Sequence, residues 1–272
     1  MVRCPAFRPT ILSAALLACL PLLAHAAPAA APTTPPVPPH QKWSFEGPLG
    51  QFDQKSLQRG FIVFNEICSS CHGMRSVTYH DLLGIGLSRQ AMTDLAHAKQ
   101  IAGPPDAAGH PTMRPGLPDD TLRSPFSSEA AAAAMMGGVA PPDQSRLAAI
   151  EPHGADWLYA FLTGYHMPAP PGAPVVPGKF YNDWADGHLV SMPPPLMDGA
   201  VDFPDGTPAT VAQQARDVTS FLVWASDPHR NDRHRIGLYV FAYLSGLLML
   251  AIAWKRKIWK RARHRNAQDT HD

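Results

Sequence analysis

The sequence predicts an all-α fold with long loop insertions and one C-terminal transmembrane helix. Three observations carry that expectation. Apolar residues recur at helical spacing in four separate segments, prolines and glycines crowd the stretches 100–125 and 165–207, and Ile236 to Trp254 holds 19 residues without a charge.

The elements follow in chain order. Arg3 and Arg8 make a basic start, Ile11 to Ala24 is apolar apart from Ser13 and Pro21, and Ala24-His25-Ala26 fits small-x-small cleavage. Residues 1–26 therefore read as a secretory signal peptide, since 14 residues containing proline are short for a bilayer core of about 30 Å. The next stretch, 27–41, is rich in proline and reads as an extended, unpacked leader. Leu57, Phe61, Phe64 and Cys68 then share one helix face, with Gly60 permitting close approach of a neighbour.

That helix delivers Cys68-Ser69-Ser70-Cys71-His72. Two thiols three positions apart, followed by an imidazole, are the attachment pattern of a covalent haem c: Cys68 and Cys71 bond the porphyrin and His72 supplies the proximal iron ligand. A zinc site needs further ligands at compatible spacing, and a thioredoxin-like pair needs a βαβ context. Neither is visible. The remaining cysteines, Cys4 and Cys19, lie inside the signal peptide, so the mature chain has no spare thiol.

Glu129 to Met136 and Asp156 to Thr163 read as helices, and the loops between them suit a core filled by a cofactor. For the second iron ligand the chain offers Met167-Pro168 and Met192-Pro193, each methionine beside a proline that lowers the entropy of holding a thioether in place. Pro193-Pro194-Pro195 restricts Met192 the more strongly, while His166 and His188 remain rivals. A helix over 208–225 has Thr207 as its cap, Pro208 in its first turn, and Val211, Ala215, Val218 and Leu222 on one face; Asp227-Pro228 ends it.

The span 236–254 is about 28 Å long at 1.5 Å per residue, enough to cross a bilayer. Seven Lys/Arg fall within the eleven residues 255–265, which directs the tail 255–272 to the cytoplasm and residues 42–232 to the outer side. This combination predicts a single-pass protein of a bacterial inner membrane with its haem domain in the periplasm. Charge divides along the same line. Residues 27–232 hold 20 acidic against 12 basic residues, net −8, and between Lys179 and Arg216 there are five aspartates and no base. Such a face steers a basic partner, and no nucleic acid is expected among the partners.

Several strings in order bring a family into view: the haem motif, Met113-Arg114-Pro115-Gly116, Pro141-Pro142-Asp143, Leu162-Thr163-Gly164-Tyr165, Met192-Pro193-Pro194-Pro195-Leu196 and Asp205-Gly206-Thr207-Pro208-Ala209-Thr210. With Arg235-Ile236-Gly237-Leu238 leading into the membrane helix, residues 42 to 260 resemble cytochrome c1. The resemblance implies a cytochrome c-like haem domain, Met192 as the distal ligand beside His72, and a place in quinol:cytochrome c reductase. Its partners would be cytochrome b, the Rieske iron–sulfur protein as electron donor and a soluble or tethered c-type cytochrome as acceptor. On that reading the chain has no catalytic acid, base or nucleophile and no quinone site of its own. One departure stands out. Where the family carries an arginine toward a haem propionate, counting back from Pro141 gives Ala133. A lost cation disfavours the more negative reduced state, so a lowered midpoint potential is expected unless Arg114 or Arg146 compensates. An alternative of the same chemistry is a membrane-anchored cytochrome feeding a terminal oxidase or dehydrogenase.

Overall fold

The computed structural model describes residues 36–268, with side chains through 261. The signal peptide with Cys4 and Cys19, leader residues 27–35 and the last four residues of the basic tail lie outside the described residues. The remainder is helical, with three two-stranded ribbons.

The core is a crossing of two helices. Helix α1, Gln54–Glu66, starts on Asp53, whose carboxylate accepts the Lys55 N–H at 3.1 Å. It packs against α6, Val211–Ser226, which is sequence-distant but buried along most of its length. Gly60 makes the contact possible: a Cβ there would stand 2.1 Å from the Asp217 carbonyl oxygen. Phe61 and Phe64 then reach the Phe221 ring at 5.6 and 5.7 Å.

Asp217, although buried inside this crossing, is fully engaged. It accepts hydrogen bonds from Ser56 at 2.6 Å, from Arg59 at 2.7 Å and from Gln213 at 2.8 Å. Arg59 also reaches Asp205 at 2.7 Å, and its guanidinium pKa is raised chiefly by the Asp217 hydrogen bond. A paired, hydrogen-bonded charge is tolerable here; removing one partner would strand the other.

Predicted Thr207 gives way to Thr210 as the α6 cap, accepting from the Gln213 N–H at 3.2 Å. The reason is local. Asp205 accepts the Thr207 N–H at 3.0 Å across Gly206, which has a positive φ of 74°, so 205–207 is a turn and Pro208 precedes the helix. The end of the leader also departs from expectation: Pro38 is buried, and Asp156 accepts from the Gln41 N–H at 3.0 Å. The same carboxylate takes the Trp43 indole N–H at 2.7 Å, which ties this segment to the helix Gly154–Thr163.

Between α1 and α6 the chain forms β1 (Met74–Thr78), α2 (Arg89–His97), β2 (Gln100–Ala102), β3 (Met113–Pro115) and β4 (Thr121–Leu122). Helices α3 (Glu129–Met135), α4 (Leu147–Ile150) and α5 (Gly154–Thr163) follow, then β5 (Phe180–Tyr181) and β6 (Leu189–Val190). The pairs β1–β4, β2–β3 and β5–β6 are antiparallel. The stretch 100–125 expected as loop therefore contains a hairpin, and α2 was not anticipated. Asp120 braces the hairpin, accepting from the two terminal Arg114 guanidinium nitrogens at 2.6 and 2.8 Å and from the Leu117 N–H at 2.7 Å.

Those bonds, the Arg114 pair foremost, hold the Asp120 carboxyl at about 2, below its usual value of 3.8. A depressed folded pKa contributes stability that is complete above the unfolded value and is lost as pH falls through about 2. Asp120→Asn should accordingly lower stability at neutral pH and flatten its decline between roughly pH 4 and pH 2. Chemical denaturation followed across that window checks the difference in slope.

Helix α7, Arg230–Gln268, is longer than the apolar run because no proline separates that run from its polar flanks. Its apolar side chains are exposed; Phe241 and Leu250 are 71% and 70% accessible. It is long and apolar enough to span a membrane.

Candidate haem site

The motif residues occupy the turn after α1. Cys68–Ser70 form a short 3₁₀ turn, with the Cys71 and His72 N–H groups both donating to the Cys68 carbonyl, at 3.1 and 2.8 Å. Ser69 closes the turn by donating its hydroxyl to the Asn65 carbonyl at 2.6 Å. Cys68 and Cys71 form no disulfide, and burial pushes the Cys68 thiol up to about 12. A disulfide oxidoreductase needs the opposite shift.

His72 is buried, and its Nδ1 meets the Pro142 carbonyl at 2.8 Å. A carbonyl only accepts, so Nδ1 carries the proton and Nε2 presents its lone pair. Burial lowers the imidazole pKa, which favours this neutral ligand form. The Pro142 carbonyl is itself fixed by its neighbours. Asp143 accepts from the Arg75 N–H at 2.8 Å and the Ser145 N–H at 3.0 Å, while the Gln144 N–H donates to Gly73 at 2.9 Å. Although burial opposes it, these bonds keep the Asp143 carboxyl below its usual range.

Cys68, Cys71, His72 and Met192 all line one cleft of about 330 Å³. Its walls are Trp157, Leu158, Phe161 and Leu162 of α5 and Val218 and Leu222 of α6, with Val139, Pro141 and Pro142 closing a side. Trp157 and Phe161 stack at 4.8 Å. A flat apolar macrocycle suits such walls. The buried Gln144 side chain also lines the cleft, and its Oε1 has no hydrogen-bond partner among the described residues.

Met192 is placed by a frame of its own. It follows β6, Tyr165 donates its hydroxyl to the Met192 carbonyl at 3.3 Å, and Lys179 donates to Ser191 at 2.5 Å. The rivals stand elsewhere. His166 bonds Asp183 at 2.6 Å, His188 stacks on Tyr181 at 5.4 Å, and Met167 is 70% exposed; none lines the cleft. Met136 does line it, a methionine the sequence did not offer as an iron ligand. Trp157, Phe161 and Gln144 were likewise missed, though the aromatic pair at i, i+4 was a legible one-face signal. Ala133 lies in α3, and among the described residues no lysine or arginine lines the cleft, whose one charged neighbour is Glu151. Arg114 is engaged by Asp120.

A helical shell with two thiols and a supported imidazole on one apolar cleft defines a c-type haem protein. Residues 43–262 match the Cytochrome C1 family. The chain is 41% identical over 240 residues to cytochrome c1 of Rhodospirillum rubrum, covering 82% of this chain and 88% of that one. It is 36% identical over 221 residues to the mitochondrial cytochrome c1 haem protein of Saccharomyces cerevisiae, covering 81% and 72%. A mitochondrial "cytochrome b-c1 complex catalytic subunit" of Candida albicans is 36% identical over 228 residues, covering 84% and 79%. The chain belongs to the cytochrome c1 family.

Proposed function

We propose that this chain is the haem-bearing electron-transfer subunit of a quinol:cytochrome c reductase. The observation that carries the reading is the convergence of Cys68, Cys71, His72 and Met192 on one apolar cleft in a cytochrome c1 family chain. Cys68 and Cys71 hold the haem covalently, His72 Nε2 is the proximal iron ligand and Met192 the distal one. When bound, haem supplies a one-electron iron couple, and histidine–methionine ligation suits a fairly high potential. The chain's own residues exclude water from the cleft, fix the imidazole through Pro142 and hold the thioether on a braced loop.

Electrons come from a Rieske iron–sulfur protein and leave to a c-type cytochrome, with cytochrome b as the third partner. The net charge of −8 over residues 27–232 supports a basic acceptor bound weakly and quickly. Residues 42–232 form the periplasmic haem domain, the run 236–254 of α7 spans the inner membrane, and the basic segment from Lys255 stays cytoplasmic, preceded by a signal peptide over 1–26. Quinol chemistry belongs to the partners; this chain contributes no catalytic acid, base or nucleophile.

Purification in mild detergent, with a reduced-minus-oxidised spectrum and identification of co-eluting subunits, tests the assignment. Co-elution of b-type haem and a Rieske protein, with quinol-dependent reduction of the c-type haem, is expected. A c-type haem accompanied by oxidase subunits alone would overturn it.

Ala133→Arg is expected to raise the midpoint potential on the order of tens of millivolts, because the resemblance implies a haem-facing cation at this position and such a cation favours the reduced state. A redox titration that finds no rise would remove this account of the substitution.

A further inference from the structure

A second cleft, of about 320 Å³, lies where α7 leaves the haem domain. Its lining is apolar at Pro48, Leu49 and Leu238, basic at His234 and Arg235, and acidic at Asp232. Leu238 sits two residues inside the uncharged run that starts at Ile236, a depth of about 3 Å along the helix. Leu49, 75% exposed, shares the cleft with it and so stands at the outer boundary of the membrane span.

The loop bearing Leu49 is prearranged against α7. His234 Nδ1 donates to the Gly50 carbonyl at 3.1 Å, Phe52 N–H donates to Asn231 at 3.3 Å, and the Arg230 guanidinium lies 5.6 Å from the Phe45 ring centre. Within the loop the Gln51 N–H donates to Ser44 at 2.9 Å. A Cβ at Gly50 would fall 2.0 Å from the Glu46 carbonyl oxygen, so the turn is tight and requires glycine. An exposed leucine on a rigid loop, at the level of a helix crossing the bilayer, is placed to meet lipid.

The geometry points to a binding site for an anionic phospholipid of the outer leaflet, its phosphate at His234 and Arg235 and its upper acyl chain along Leu49 and Leu238. Arg235 also pairs with Asp232 at 3.0 Å, but both side chains are more than half exposed, and such a pair holds its partners weakly. The guanidinium has further donors for a phosphate. Continuity with the apolar face of α7 favours lipid as the occupant over a soluble anion. Binding there would fix the tilt of the haem domain on the membrane.

This inference rests on the membrane-spanning reading of α7, and the experiment separates the two. The full chain is reconstituted in phosphatidylcholine bilayers with a fluorophore on Leu49→Cys or on Leu244→Cys, the unsubstituted chain serving as labelling blank. Trace spin-labelled phosphatidylglycerol or phosphatidylcholine is the quencher. Quenching at position 49 by phosphatidylglycerol should exceed that by phosphatidylcholine about fivefold in relative affinity, and Arg235→Gln should bring the ratio near one. Position 244 should be quenched with no headgroup preference. Quenching at 244 but not at 49, or equal quenching by both lipids at 49, overturns the site while leaving the span intact. Absence of quenching at both positions overturns the span and the site together.

Discussion

Met192→Leu is expected to lower the midpoint potential by about a few hundred millivolts, a sizeable part of the roughly 0.8 V that axial ligands span. It should also let carbon monoxide bind the reduced protein. Leucine matches methionine closely in volume, so the fold should persist while the thioether is lost. The control is Met136→Leu. Met136 reaches the same cleft from the end of α3, but two glycines with positive φ, Gly137 and Gly138, follow it. A thioether on that segment would give up more chain entropy on binding than one followed by Pro193-Pro194-Pro195 and braced through Tyr165. If Met136→Leu shifted the potential and Met192→Leu did not, the ligand assignment would have to move to Met136.

The elements legible in the sequence were those that local chemistry determines. Glu129, Asp156 and the 236–254 run were readable because helix periodicity and length act within a few turns. The cysteine pair with His72 was readable because attachment needs fixed spacing. What escaped were long-range matches. Nothing in the sequence around His72 announces that a carbonyl 70 residues onward, Pro142, will choose its tautomer. The β2–β3 hairpin escaped because its strands are three residues each, too short for an alternation to register. The cap moved from Thr207 to Thr210 because Asp205, already drawn to Arg59 across the fold, turns the chain at Gly206. Asp217 is buried, and the Arg59 that compensates its charge lies 158 residues earlier. Apart from the hairpin, the deciding partner is in each case distant in sequence, and a single sequence carries no record of the pairing.

Gly60→Ala should cost about 3 kcal/mol or more, a large price for one methyl group, because the obstacle is backbone. The added Cβ would lie 2.1 Å from the Asp217 carbonyl oxygen and 2.8 Å from the Phe221 Cβ. Neither can rotate away, so α1 and α6 must separate. Separation loosens the Phe61, Phe64 and Phe221 rings and stretches the Arg59–Asp217 pair, whose charges are then left poorly compensated in the core. The damage extends to the haem cleft, since α1 ends at the Cys68 turn while Val218 and Leu222 of α6 form its wall. For a domain of this size the melting temperature should fall by about 6–12 °C, followed by circular dichroism. Ser56→Ala, which removes one hydrogen bond to Asp217 without pushing the helices apart, should cost only about 1 kcal/mol. Equal losses in the two variants would show that the crossing does not depend on the missing side chain at Gly60.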